Sequence, residues 1–181
     1  MTTLFGGLPM LEQLAVGSLD TPIGVLWVAC SSQGVCKLVF PREGAKAALD
    51  RWLGTHLPGH EATATSELLE QTHAELSEYF AGTRHDFTVP LDLRGQPFQR
   101  SVWHALTTIP YGHTVSYGEL ARTLATPRAA RAVGAACGAN PVPVIAPCHR
   151  VLGSDGSLHG FGGGLPVKAW LLRHEGVLLD L

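Results

Sequence analysis

The chain has 181 residues, of which 45 % are hydrophobic and 15 % charged, enough apolar content for one full-sized domain or two small ones and too much for a disordered chain. Thirteen Lys+Arg against 15 Asp+Glu leave a net charge of -2, which excludes a polyanion binder held by overall charge. The charge is uneven: residues 1–93 hold 5 basic and 11 acidic side chains (net -6) and residues 94–181 hold 8 and 4 (net +4), so a mildly acidic half precedes a basic one.

The N-terminal stretch MTTLFGGLPMLEQL has no Lys or Arg ahead of its short apolar run, and no segment approaches the ~20 apolar residues of a membrane span. A cytoplasmic location without membrane contact is therefore expected. The first elements are two β-branched apolar runs, 23–30 (IGVLWVAC) and 35–40 (VCKLVF), separated by SSQG, which read as a hairpin. Apolar residues at helical spacing over 43–54 and 66–81, among them Leu68, Leu69, Leu76, Tyr79 and Phe80, predict two helices covering one face of that sheet. FTVPLDL (87–93) is expected as a further strand, closing a first domain over 1–93 near Arg94 and Gly95. The four cysteines, Cys30, Cys36, Cys137 and Cys148, are too few and too scattered for a disulfide scaffold, and reduced thiols are expected.

From Pro97 the pattern turns helical, with Phe98, Val102, Leu106 and Ile109 on one face and Pro110-Tyr111-Gly112 as the stop. Ser116 followed by Glu119 is a capping box opening a helix over YGELARTL, and Ala125-Thr126-Pro127 breaks it before a second helix over RAARAVGAAC. Two short helices joined by a tight turn in the basic half have the spacing of a helix-turn-helix, and equally that of a structural helical hairpin. The second helix is built from small residues, Ala130 and Gly134 among them, with Arg128 and Arg131 as its only long side chains. Such a surface cannot read base edges in the major groove, which takes long polar side chains. It can approach a nucleic-acid backbone or groove floor closely, or pack tightly on another helix.

NPVPVIAPCHRV follows. Cys148 ends a proline-punctuated apolar segment with His149 and Arg150 directly after it. A thiol of ordinary pKa ~8.5 is mostly protonated at neutral pH, so a nucleophilic cysteine needs a base to take its proton and a cation to steady the thiolate. His149 and Arg150 are the candidates for those parts, against the alternative of a buried, inert cysteine. HGFGGG (159–164) lacks the features of a dinucleotide or P-loop motif. Gly162 and Gly163 let backbone approach a flat ligand on which Phe161 stacks. A last helix from Pro166 through VKAWLLRHE ends at Gly176, placing Glu175 where it orients an imidazole or sits on the surface.

Asn140-Pro141-Val142-Pro143, Pro147-Cys148-His149-Arg150-Val151, the glycine-rich loop and the closing Lys168 to Gly176 segment resemble the O6-alkylguanine-DNA alkyltransferases, also called methylated-DNA–protein-cysteine methyltransferases, from about residue 97 to 176. The resemblance implies an α+β protein: a small N-terminal sheet domain with covering helices (1–93) and a mostly helical, winged-helix-like domain with the helix-turn-helix (94–181). It implies repair of O6-alkylguanine and O4-methylthymine in double-stranded DNA by one irreversible transfer of the alkyl group to the protein. By motif position, Cys148 is the acceptor and His149 the base acting through a water. Glu175 orients that base, and Asn140 holds the turn. Tyr117 serves the leaving guanine, and Lys168 lies near the thiol. Arg131 is the finger filling the gap of a flipped base in the minor groove, with Arg128, Ala130, Tyr117 and Gly134 against DNA; Phe161, Gly162, Gly163 and Val151 line the pocket. Phe161 stands where many members have tyrosine, keeping stacking and losing a hydroxyl. The resemblance calls for no cofactor and for a monomer, and Cys30 and Cys36 lack the partners of a zinc site. Two other readings stay open: an alkyltransferase-like protein that binds lesions without repair, against which Cys148 itself counts, and a Cys-His hydrolase.

Overall fold

The computed structural model describes residues 13–177; the targeting segment considered above lies outside them up to residue 12. Strands β1 (Gln13–Thr21), β2 (Gly24–Ser31) and β3 (Val35–Val39) form an antiparallel meander, and short β4 (Glu61–Thr63) adds parallel to β1, giving the order β3-β2-β1-β4. The hairpin is β2–β3 as expected. Strand β1 is an addition: QLAVGSLDT carries Gly17 and little β-branching, a weak strand signal. Gly17 has a packing reason, since a Cβ there would come within 2.8 Å of the His73 ring.

Helices α1 (Ala45–His56) and α2 (Glu67–Phe80) form where predicted, α2 capped by Ser66, whose hydroxyl accepts from Leu69 N at 3.1 Å. They do not share a face of the sheet. Helix α1 packs Leu49 and Leu53 on Leu14, Ala29 and Val39, while α2 packs Leu69, Leu76 and Tyr79 on Leu26, Val28 and Cys30 from the other side. Apolar residues on both faces of β2 give each helix a surface to cover, which neighbouring helical runs alone do not reveal.

Residues 87–93 are likewise not a strand. They strap the β2–β3 turn through a single bridge, Val35 N donating to Pro90 O (2.8 Å) and Asp92 N to Val35 O (3.0 Å). Pro90 has no N–H to extend a ladder. Gly34 lets the strap approach: a Cβ there would meet its backbone at 2.7 Å.

The second half contains α3 (Pro97–Leu106), β5 (Val115–Ser116), α4 (Tyr117–Thr123), α5 (Ala130–Gly138), a 3-10 turn over Cys148–Arg150, β6 (Val151–Leu152) and α6 (Leu165–His174). The predicted capping box is present: Glu119 N donates to Ser116 Oγ (3.1 Å) and Ser116 N to Glu119 Oε2 (2.7 Å). Trp103 Nε1 donates to Ala136 O (2.8 Å), fastening α3 to α5. This is an α+β fold, a sheet with covering helices followed by a helical unit. The two halves share one apolar core, in which Leu26 and Val28 of the sheet join Val102, Leu106, Val133 and Leu171. Leu38 N on edge strand β3 donates to Pro141 O (2.8 Å), so the first half directly holds the loop that leads to Cys148.

Candidate active site

The segment 140–148 is a buried loop organised by Asn140. Its Nδ2 donates to Ala146 O (2.7 Å) and its Oδ1 accepts from Val142 N (3.1 Å), while Cys148 N donates to Ala146 O (2.8 Å). These bonds satisfy backbone groups that a buried loop would otherwise leave unpaired. Val144 is fully buried at φ +76°, a conformation costing a β-branched residue about 1–3 kcal/mol and held by the surrounding contacts.

Cys148 is buried, and that burial pushes its thiol up to about 11, partly offset by a hydrogen bond with Asn140 and the charge of Lys168. At neutral pH the thiol therefore keeps its proton, and reaction requires a base. His149 is completely buried, which lowers its pKa despite the opposing hydrogen bond to Glu175, and the ring is neutral. Its Nε2–H donates to Glu175 Oε1 at 2.7 Å. This sets the tautomer and leaves Nδ1 as an acceptor, and Nδ1 has no hydrogen-bond partner among the described residues.

Glu175 is buried rather than on the surface, and it accepts five hydrogen bonds. Oε1 takes Tyr79 OH (2.7 Å), His149 Nε2 (2.7 Å) and Arg150 Nη2 (3.0 Å); Oε2 takes Arg150 Nε (2.8 Å) and Gly112 N (3.3 Å). Burial alone would raise this carboxyl, but the bonds from His149 and Arg150 outweigh it and hold the group well below the usual range. Arg150 thus does not steady the thiolate. Its guanidinium is committed to Glu175 and to Ile109 O, because a buried carboxylate needs a charged partner more than a protonated thiol does. The cation beside Cys148 is Lys168, fully buried, with Nζ donating to Val151 O (2.7 Å) and His159 O (3.2 Å).

Tyr117 opens α4 with its ring 5.9 Å from Lys168 Nζ. Burial, then the neighbouring Cys137 and Cys148, raise its hydroxyl to about 12, so it is a proton-bearing donor at neutral pH. Gly134 on α5 lies against that ring, a Cβ there standing 3.8 Å away. Phe161 sits half-buried, its ring centroid 5.1 Å from Phe40 and 6.4 Å from His149. Gly163 is needed for this approach, since a Cβ would press within 3.0 Å of the Phe40 ring. Gly162 borders the same cleft as Cys148, whereas the Val151 side chain is fully buried. Arg128 and Arg131 are exposed at the start of α5, beside half-buried Ala130.

Two family models match the chain: the 6-O-methylguanine DNA methyltransferase ribonuclease-like domain over residues 14–93 and the DNA binding domain of the same enzymes over 97–177. The methylated-DNA--protein-cysteine methyltransferase of Shigella flexneri is 45 % identical over 167 residues, covering 89 % of this chain and 95 % of that protein. The chain belongs to the 6-O-methylguanine DNA methyltransferase family. The crystal structure of Mycobacterium tuberculosis O6-methylguanine methyltransferase is similar at TM-score 0.76 and 40 % identity over 90 % of this chain and 92 % of that one. The same organism's protein in complex with DNA gives TM-score 0.75 at 40 % identity, covering 90 % and 92 %.

In this family member Asn140, Tyr117, Cys148, His149, Phe161, Lys168 and Glu175 come together, Arg128 and Arg131 stand apart on the exposed start of α5, and Tyr79 lies outside every sequence motif. It lies 96 positions from Glu175, on a helix whose spacing marks it only as a core residue. Among the described residues no group of three or more His, Cys, Asp or Glu side chains could hold a metal, and no helix is long and apolar enough to cross a membrane.

The buried imidazoles carry a pH consequence. Burial lowers both His149 and His73 below their ordinary 6.5. Below that pH the unfolded chain takes protons that the native one refuses, so stability falls as pH falls, by up to about 1.4 kcal/mol per pH unit for each proton. Depressed Glu175 adds to the loss below its ordinary 4.5. The urea midpoint should accordingly drop between pH 7 and 5; a flat midpoint would contradict neutral buried imidazoles.

Proposed function

We propose that this methyltransferase repairs DNA by transferring the alkyl group of O6-alkylguanine, and of O4-methylthymine, from duplex DNA to Cys148, once per chain. The observation that carries the assignment to Cys148 is its burial beside an imidazole whose tautomer Glu175 fixes and whose Nδ1 is left to accept a proton. The thiol proton passes through a water to His149 Nδ1. Sγ attacks the alkyl carbon in line, the C–O6 bond breaks, and its electron pair leaves on the guanine, which takes a proton from the Tyr117 hydroxyl. Asn140 holds the loop, and Lys168 ties β6 to the glycine-rich loop while its charge favours the thiolate. A thioether offers no leaving group to a second nucleophile, so nothing restores the thiol.

Residues 94–181 act as the DNA-binding and acceptor domain, and residues 1–93 form an N-terminal domain that supports it across the apolar core they share. The small residues of α5, Ala130 and Gly134 among them, enter the minor groove. Arg131 replaces the flipped base in the stack, and Arg128 meets phosphates. Phe161, Gly162 and Gly163, with Val151 behind them, frame the base. The protein acts as a monomer in the cytoplasm. The mass of the Cys148 peptide after incubation with methylated DNA tests residue, reaction and stoichiometry together: a gain of one methyl group is expected, and a label elsewhere overturns the assignment.

Arg131→Ala separates flipping from chemistry. It should slow repair of duplex DNA about tenfold or more while changing reaction with free O6-alkylguanine base less than about twofold, because only the duplex must be unstacked. Equal losses on both substrates would remove the finger role.

A further inference from the structure

Cys148 borders a cleft of ≈ 250 Å³ that also takes in Gly162 and is walled on its other side by residues of the N-terminal half. Neither Tyr117 nor Phe161 lines it; its apolar walls include Phe40, Trp52 and Pro143, with Lys37 and Arg42 as its charged groups. A methyl group is about the size of one water, whose share of liquid volume is ~30 Å³, so methyl transfer uses a small part of this space. No carboxylate lines the cleft, and neither cation has an ion pair or hydrogen bond among the described residues. Lys37 is half-buried with Nζ 5.2 Å from the Trp52 ring centroid, close enough to Arg42 for the two charges to repel. Lys37 over the Trp52 ring and exposed Arg42, neither with a carboxylate partner among the described residues, form with the apolar walls a site for an anion that carries a hydrocarbon stem.

We propose that this cleft receives O6-alkyl groups that end in a carboxylate, with Lys37 and Arg42 as the residues that select them. This rests on Cys148 being the acceptor. The bond changes match those of methyl transfer: the Sγ–C bond forms, the C–O6 bond breaks, guanine keeps the electron pair and gains a proton, and the carboxylate passes unchanged onto the thioether. The stem lies along Phe40 and Pro143 while its charged end sits between the two cations. Neither cation has a part in moving a methyl group.

The test uses free guanine bases, which carry no phosphate. Single-turnover rates are measured for O6-(3-carboxypropyl)guanine, whose carboxylate stands beyond a hydrocarbon stem, and its neutral isostere O6-(3-carbamoylpropyl)guanine, with O6-methylguanine in duplex DNA as control. Their ratio cancels differences in intrinsic reactivity when compared between proteins. In Lys37→Gln/Arg42→Gln the carboxylate-to-amide ratio should fall at least about fivefold with methyl transfer within about twofold of wild type, and in the wild-type protein the ratio should fall as salt rises from 50 to 500 mM, roughly as a screened charge contact does. An unchanged ratio overturns the proposal. So does an equal loss on every alkyl group in duplex DNA, which would make the two cations a phosphate contact. Failure of the wild-type chain to label Cys148 with any substrate would instead overturn the acceptor assignment.

Discussion

Cys148→Ala should abolish alkyl transfer completely while leaving the affinity for alkylated duplex DNA within about twofold. The variant removes one sulfur at a buried position, and the loop around it is held by Asn140 and backbone hydrogen bonds rather than by the thiol. The folded state should therefore persist, and the DNA-facing surface of α5 is untouched. No other cysteine should substitute: Cys30, Cys36 and Cys137 are buried as Cys148 is, but none is followed by an imidazole that could take the thiol proton. With wild-type protein, product should appear in a burst that stops at one equivalent per chain. Continued turnover would favour the hydrolase reading, and residual transfer in Cys148→Ala would move the acceptor elsewhere.

Glu175→Ala should be the most destabilising single change in the site, by about 3–5 kcal/mol, read as a fall in the urea unfolding free energy at constant m-value. The carboxylate is the sole described ion-pair partner of buried Arg150 and accepts from Tyr79, His149 and Gly112 besides. Its loss strands a guanidinium without its counter-charge and frees the His149 ring to rotate. Tyr79→Phe provides the graded comparison. It removes one hydrogen bond of the same carboxylate, so a loss of about 1 kcal/mol is expected with the transfer rate little changed, since His149 and Arg150 still hold Glu175. If Tyr79→Phe and Glu175→Ala cost the same, the network would be a packing feature and not a charge-centred one.

Local signals explain what was legible in advance. Ser116 and Glu119 are three residues apart, so their reciprocal capping bonds close within one turn and mark the start of α4 whatever surrounds it. The β2–β3 hairpin and helices α1 to α6 rest on the same kind of short-range pattern. The family resemblance rests on short motifs between Asn140 and Gly176, each legible from its own neighbours along the chain. Strand β1 and the strap at 87–93 escaped because the first has little β-branching and the second borrows its single bridge from a distant turn.

By itself, then, the sequence determined the helices of the second half, the Cys148-His149 neighbours and the acidic-then-basic division of charge, since each depends on neighbours along the chain, while the short strands β5 and β6 pair across it. Only the tertiary structure decided which partner each charge takes. Burial makes an unpaired carboxylate too costly, so Arg150 turned from the thiol to Glu175, and Tyr79 arrived from the other half to complete its bonds. The same folding set α1 and α2 on opposite faces of the sheet, and carried Lys37 and Arg42, far from Cys148 in sequence, to the cleft that the cysteine borders.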